Sequence, residues 1–154
     1  MKNILVLLML SVAIIANATP SYGQILKNII NSKTTLPAGT LVILESTGSL
    51  KTGQATVGQL VHFRVTTHVK ADGDVVIATG AMGLGRIKSI DPSTYNNPET
   101  FHIEVTSVQA VDGQMVPLNP QELIIKGKYS SQEAAADSGK TITAYVTNDI
   151  KIKS

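Results

Sequence analysis

Residues 59–77 read QLVHFRVTTHVKADGDVVI, and this stretch decides the fold. Apolar and polar side chains alternate along its first eleven residues, which predicts a β-strand with one face on a core. The expected core face consists of Val61, Phe63, Val65, Thr67 and Val69. Asp72-Gly73 follows, a pair that readily adopts the positive φ angles of a two-residue turn, and Asp74–Ile77 then runs back. The stretch therefore predicts an antiparallel β-hairpin.

Similar strand patterns and turn signals continue on both sides of this hairpin. We predict further strands at 40–46, 86–90, 100–111, 114–118, 123–126 and 141–152. Asp112-Gly113 predicts a second hairpin turn. Pro117 lacks an amide hydrogen, so its strand should end there or lie at a sheet edge. About seven or eight short strands without a helical period predict one all-β domain, a small antiparallel β-barrel or sandwich.

The amino terminus has the pattern of a secretory signal peptide. Lys2 precedes the apolar run Ile4–Ile15, and small and polar residues follow it. The run is shorter than the ~20 apolar residues that span a bilayer. Cleavage could follow Ala18 or Gly23, and we favour Gly23. The chain has no cysteine and therefore no lipid-attachment motif.

These patterns give an expected organisation and compartment. The expected segments are a signal peptide at 1–23, a lead-in segment at 24–35 and a single β-domain at 36–154. We expect the mature chain to be periplasmic or secreted and to have no transmembrane span.

Composition narrows the function classes. The 154 residues include 13 basic and 11 acidic side chains, a balance that does not indicate nucleic-acid binding. The absence of cysteine excludes disulfides, thiolate metal sites and cysteine nucleophiles. Tryptophan is absent and aromatic residues are few, which argues against a sugar-binding platform. We expect no cofactor, and the expected partner is another envelope protein.

One short pattern occurs twice. Leu36–Thr40 reads LPAGT and Ile77–Ala81 reads IATGA, so both have the form apolar-x-x-Gly-small. Each precedes or joins a predicted strand. Either a glycine is simply needed for a turn that enters a strand, or the barrel contains a duplicated element.

A resemblance extends over most of the chain from Leu36 to Ile152. It is carried by Leu36–Thr40, Val57–Phe63, Gly73–Ile77 with Gly80, and Asp112–Gly113 before Val116–Leu118. The chain resembles a group of uncharacterised exported β-domains of Gram-negative bacteria. Their barrel is similar to that of the outer-membrane-core component of type IV secretion systems. The resemblance implies an envelope β-barrel and assigns no functional residues.

The resemblance has two departures. Ala78 stands where a proline is usual, and Ser138-Gly139-Lys140 lacks a Pro-Ala-Gly-Thr repeat.

Two glycine-rich patterns resemble nucleotide-binding motifs without the required context. Ser138–Thr141 ends like a phosphate-binding loop, but Ala134 occupies the position of the first glycine and a strand is expected to follow. Gly80, Gly83 and Gly85 have the reverse spacing of a dinucleotide fingerprint and lie outside any βαβ unit. We interpret these glycines as a β-bulge or tight bend.

Two groups of residues could suggest metal binding. His62 and His102 are expected on the outward faces of two long strands and could approach each other if those strands pair, with Glu104 beside His102. Exposed strand histidines are the alternative, and His68 completes the set of histidines. Asp72 and Asp74 could suggest calcium, but they supply too few oxygen ligands, and the hairpin turn explains both. We therefore predict no metal site.

The longest polar loops are the candidate binding surface. Tyr95, Asn96 and Asn97 lie in one of them and Tyr129 lies in another, although an ordinary solvated loop is the alternative. No serine lies in a Gly-x-Ser-x-Gly elbow, and no catalytic residue is predicted. The sequence favours an exported non-enzymatic envelope protein, a binding or assembly module. The alternative is a hydrolase acting on an envelope polymer or peptide, which would require His, Asp and Ser side chains to converge.

Overall fold

The structure is a computed structural model, which describes residues 33–48, 50–51, 53–127 and 138–153. The predicted signal peptide, most of the lead-in segment and Tyr129 lie outside the described residues. The described residues form ten strands: β1 (Lys33–Leu36), β2 (Leu41–Ser46), β3 (Leu60–Val65), β4 (Val69–Ala71), β5 (Asp74–Ile77), β6 (Met82–Asp91), β7 (Thr100–Gln109), β8 (Met115–Lys126), β9 (Thr141–Tyr145) and β10 (Ile150–Lys153).

Six strands form one antiparallel sheet, in the order β8-β7-β6-β3-β2-β9. Its two edge strands meet where Leu118 and Val146 form an antiparallel bridge, so the sheet nearly closes into a barrel. Closing a sheet in this way leaves few unpaired edge groups. The predicted all-β fold is confirmed, and it is a barrel-like sheet.

The barrel core follows from strict alternation along the strands. In β3, Val61, Phe63 and Val65 are buried while the residues between them are exposed. The predicted inward face of β7 is also confirmed: Phe101, Ile103 and Val105 are fully buried.

Alternation ends where β3 ends. Thr67, which the sequence placed on the core face, is exposed because the chain bends at Thr66 and Thr67 before β4 begins. Val69 is buried, as predicted, but it belongs to β4.

Two small antiparallel sheets, β1–β10 and β4–β5, lie beside the turn that joins β7 to β8. The predicted Asp72-Gly73 turn joins β4 to β5, with φ angles of 51° and 92°. A bulge follows Val69 in the pairing of this hairpin, and both Val76 and Ile77 are buried beside it.

The turn between β7 and β8 lies between the two small sheets and binds both. The backbone N–H of Val111 donates to the Val76 carbonyl of β5 at 3.0 Å. On the other side, the Gln114 side-chain amide donates to the Lys151 carbonyl of β10 at 2.9 Å, and the Lys153 N–H donates to Asp112 at 3.0 Å. The turn therefore holds the end of the barrel together.

The structure corrects the predicted strands near Pro117. The predictions 114–118 and 123–126 are one strand, β8, so the expectation that the strand ends at Pro117 is wrong. The expectation of an edge strand is correct, because β8 lies at one edge of the six-stranded sheet. The Pro117 carbonyl accepts a hydrogen bond from Thr147, on the side away from β7. In an antiparallel strand the nitrogen and the carbonyl of one residue point to the same side, so the Pro117 nitrogen also points away from β7. Its missing hydrogen therefore removes no hydrogen bond between β8 and β7.

The chain ends differ from the predictions as well. The predicted strand 141–152 is two strands, β9 and β10, separated by residues 146–149. β10 leaves the barrel and pairs with β1 instead. β1 begins at Lys33, within the predicted lead-in segment.

The repeated sequence pattern forms two equivalent turns. Gly39 has a φ of 76° and Gly80 a φ of 83°, values that favour glycine. The Gly39 N–H donates to the Val146 carbonyl at 2.8 Å, and the Val146 N–H donates to Thr40 at 2.9 Å. The same two bonds link Gly80 and Ala81 to Val65, also at 2.8 and 2.9 Å.

This equivalence extends to four strands on each side. We call β3 to β6 the continuous half, because one stretch of chain forms it, and we call β9, β10, β1 and β2 the split half. In each half a barrel strand leads through a short link to a small sheet, and a glycine turn leads back to the neighbouring barrel strand. The structure favours the interpretation of a duplicated element.

Candidate functional site

Three of the four predicted loop residues, Tyr95, Asn96 and Asn97, lie in the part of the chain that the structure describes. Thr94 and Asn97 exchange backbone hydrogen bonds of 2.8 and 3.2 Å, which places Tyr95 and Asn96 at the tip of the loop. Tyr95 is 98% exposed. Asn97 lines a shallow polar depression near Lys126, and neither Tyr95 nor Asn96 lines it.

The structure separates the two histidines that could have shared a metal ion. β3 and β7 both pair with β6 and not with each other, so His62 lies opposite Leu84 and His102 opposite Ser89. Among the described residues, no group of His, Asp and Glu side chains has the arrangement of a metal site. Whether His62 and His102 lie close together depends on which strands pair, and the alternation of apolar and polar residues does not indicate strand pairing.

His102 lies instead between two carboxylates. Its Nε2 is 3.1 Å from Asp91 and its Nδ1 is 3.4 Å from Glu122. Glu122 is also 3.8 Å from the Lys88 amine. These contacts connect β6, β7 and β8 on the outside of the sheet.

This arrangement bears on the hydrolase alternative. A base that activates a serine needs one ring nitrogen within hydrogen-bond reach of the hydroxyl. Both ring nitrogens of His102 face carboxylates. In the part of the chain that the structure describes, no serine or threonine hydroxyl is hydrogen-bonded to a histidine ring.

The segment that resembles a phosphate-binding loop has a structural role. The Gly139 N–H donates to the Ser46 carbonyl at 2.8 Å, and the Lys140 N–H donates to the Ser46 hydroxyl at 3.1 Å. These amides are therefore engaged within the protein. The segment leads into β9, as predicted, and it has no helix after it.

The glycines of β6 allow close packing against β3. A Cβ added to Gly85 would lie 2.7 Å from the Glu104 carbonyl oxygen and 2.9 Å from the Phe63 ring. A Cβ at Gly83 would overlap the Leu44 side chain. The register with β7 shifts between Leu84 and Gly85, and Gly80 lies in a tight turn, so the interpretation as a β-bulge or tight bend fits these two places.

Asp112 has a perturbed acidity. Partial burial of its carboxyl group acts to raise the pKa, but its own backbone N–H and three further hydrogen bonds outweigh that effect and hold the pKa below its ordinary value. The donors are the Lys153 N–H and the backbone and side-chain amides of Gln114. The charged form of Asp112 therefore stabilises the turn between the two small sheets.

An apolar groove opens on the outside of the barrel beside β2. Leu41, Ile43 and Val69 supply its apolar surface, and Thr67, His68 and Lys70 form its rim. We call it the outer groove. It exists because β3 pairs with β2 only at Leu44–Ser46 and the chain then bends toward β4.

Thr66 and Tyr145 lie next to the outer groove. The Thr66 N–H donates to the Ile43 carbonyl at 3.0 Å, which holds the bend against β2. Tyr145, 40% exposed, lies opposite Leu41 on β9 and continues the apolar surface.

Sequence reasoning did not identify the outer groove, although one signal was present. Residues 41–44 read LVIL, so both faces of β2 are apolar where a barrel strand needs only one. Leu41 is 47% exposed, whereas Val42 and Leu44 are fully buried. An apolar outer face on a barrel strand indicates a contact surface.

Comparison with known proteins adds no relative. The scan against protein-family models finds no match, and the search of curated proteins finds no similar chain. Within the described residues, no helix has the length and apolar character needed to cross a membrane.

Proposed function

We propose that this chain is an exported, non-enzymatic protein of the cell envelope that binds a partner protein or joins an assembly. One observation carries the proposal: in the outer groove Leu41, 47% exposed, lies beside Ile43 and Val69 and forms a concave apolar surface on the outside of the barrel. Exposed apolar surface of this kind is typical of protein interaction sites. The signal-peptide pattern at 1–23 supports export to the periplasm or the medium.

The resemblance to exported β-domains of Gram-negative bacteria is part of the same proposal. A barrel similar to that of a type IV secretion component would act through its surface and its fixed shape. The engaged ring nitrogens of His102 and the structural role of Ser138–Thr141 are consistent with a protein without catalysis.

The experiment combines localisation with in-cell crosslinking. The full chain, with a C-terminal tag, is expressed in a Gram-negative host and the envelope fraction is recovered. Mass spectrometry should find a mature product that begins at Gln24. Crosslinking should recover a defined envelope protein in constant proportion to the chain.

The controls separate export, binding and catalysis. Recovery of the chain alone, or of an unprocessed chain in the cytoplasm, would contradict the proposal. Release of soluble fragments from peptidoglycan or peptide substrates would support the hydrolase alternative instead. Leu60→Ser is the matched control for a variant of the outer groove, because Leu60 is an exposed leucine of β3 that lies outside the groove.

A further inference from the structure

The two halves of the barrel differ in one polar contact beside the outer groove. In the split half, Asp149 accepts a hydrogen bond from the Ala38 N–H at 2.8 Å and so closes the glycine turn. The equivalent residue of the continuous half is His68, which lines the outer groove instead. Among the described residues, nothing accepts a hydrogen bond from the equivalent N–H, that of Thr79. A residue that serves the fold in one half is available for contact in the other.

The chemistry of the outer groove restricts what can bind there. Three aliphatic side chains provide room for an apolar side chain, and the rim carries Lys70 together with His68 and Thr67. The six residues that line it include no carboxylate. The groove therefore complements an apolar side chain flanked by negative charge.

Its shape favours an extended segment over a folded surface. The floor follows the direction of β2, from Leu41 to Ile43, and one wall is the bend that precedes β4. Alternate side chains of an extended segment point to the same side, so one of them can enter the groove while its neighbours reach the rim.

We propose that the outer groove binds an extended segment of a partner protein in which an apolar side chain lies between carboxylates. This inference rests on the proposed binding function and names the site and the chemistry of the partner. Leu41, Ile43 and Val69 contact the apolar side chain, and Lys70 pairs with a carboxylate.

The test uses small peptides of defined charge as probes. The ¹⁵N-labelled protein is titrated with N-acetylated, C-amidated Glu-Leu-Glu, and amide shifts are followed by NMR. The expected shifts are confined to residues 41–43 and 66–70. Lys-Leu-Lys should bind up to about fivefold more weakly, since an exposed ion pair contributes up to about 1 kcal/mol.

Variants separate the outer groove from general charge effects. Lys70→Glu should reverse the preference between the two peptides, and Leu41→Ser should weaken both. Lys151→Glu is the matched control, because Lys151 is the exposed equivalent of Lys70 in the split half. It should leave the preference for Glu-Leu-Glu unchanged.

Several results would overturn the inference. They are shifts spread over the whole surface, equal affinity for both peptides, or an equal effect of Lys151→Glu and Lys70→Glu. Concentration-dependent shifts at 41–43 without peptide would assign the groove to a second copy and would also overturn it. If crosslinking in cells recovers the same partner with Leu41→Ser, the inference about the groove fails and the proposed function stands. If crosslinking recovers no partner, the proposed function fails independently of the peptide result.

Discussion

The continuous half and the split half use the same backbone hydrogen bonds and fill the core differently. In the continuous half Phe63 lies opposite Gly83, and at the equivalent place in the split half Ala144 lies opposite Val42. In the continuous half a large side chain, Phe63, lies opposite a glycine. In the split half two smaller side chains, Ala144 and Val42, fill the equivalent space. The two halves therefore share a backbone geometry but distribute side-chain volume differently between the paired positions of neighbouring strands. A close-packed core tolerates this as long as the total volume is kept.

The largest expected effect tests this exchange of volume. Phe63→Ala should lower the free energy of unfolding by about 3–5 kcal/mol, because the side chain is fully buried. Adding Gly83→Val reproduces the pair of the split half and should recover at least about 1 kcal/mol of that loss, because the space that Phe63 leaves can also take the Leu44 side chain, which a Cβ at Gly83 would overlap. Urea unfolding of both single variants and the double variant measures the coupling. Strict additivity would show that the two positions do not exchange volume.

A second variant tests the close approach of β6 to β3 and β7. Gly85→Ala should destabilise the protein by about 1–3 kcal/mol, because the new Cβ would meet the Glu104 carbonyl, which cannot move freely. The control is Gly48→Ala, where an added Cβ meets nothing within 4 Å. Thermal or urea unfolding should place Gly48→Ala within about 0.5 kcal/mol of wild type. Equal stability of the two variants would contradict the packing account.

These two predictions also show what the sequence could and could not supply. Alternation in residues 59–69 and the Asp-Gly pairs identified the strands and both hairpin turns, because those signals are local. The face of Phe63 was predicted for the same reason. Its neighbour Gly83 was not, because pairing β3 with β6 depends on the whole sheet.

Other misses have physical causes of the same kind. The break between β9 and β10 has a local signal, because Asn148 and Asp149 are residues that favour turns. The pairing of β10 with β1 has none, because these strands are far apart in the sequence. His62 and His102 could not be separated without knowing that β6 lies between their strands. The outer groove forms because the pairing of β2 with β3 stops at Leu44, and no local sequence pattern indicates where that pairing stops.

A third prediction uses pH to test how the β7–β8 turn holds the split half. Asp112→Asn should cost about 1 kcal/mol or less at neutral pH, since the group is largely exposed and three hydrogen bonds weaken together. The folded state lowers the pKa of Asp112, so its contribution is complete above the unfolded pKa and is lost as the pH falls through the folded pKa. The stability gap between wild type and variant should therefore close below about pH 4. A gap that is constant from pH 7 to pH 3 would contradict this account.

The smallest expected effect concerns the two glycine turns. Asp149→Ala should cost about 0.5 kcal/mol through loss of the exposed hydrogen bond from the Ala38 N–H. His68→Ala, at the equivalent position, should be neutral within error. His68→Asp should stabilise by a few tenths of a kcal/mol if the Asp can accept the Thr79 N–H. Chemical unfolding of the three variants in parallel measures these changes in stability. An equal loss of stability for Asp149→Ala and His68→Ala would contradict the proposed difference between the two halves.

The pairing of Lys33 with Lys153 has a consequence for how the chain can be rearranged. Two antiparallel residues in register can be joined by a two-residue turn, as Asp72-Gly73 joins β4 to β5. An Asn-Gly linker from Lys153 to Lys33, with new termini opened between residues 128 and 137, would turn the split half into a continuous stretch of chain. Such a circular permutant should fold to the same barrel, because the order of strands in space, rather than the order in which the ribosome makes them, defines this architecture.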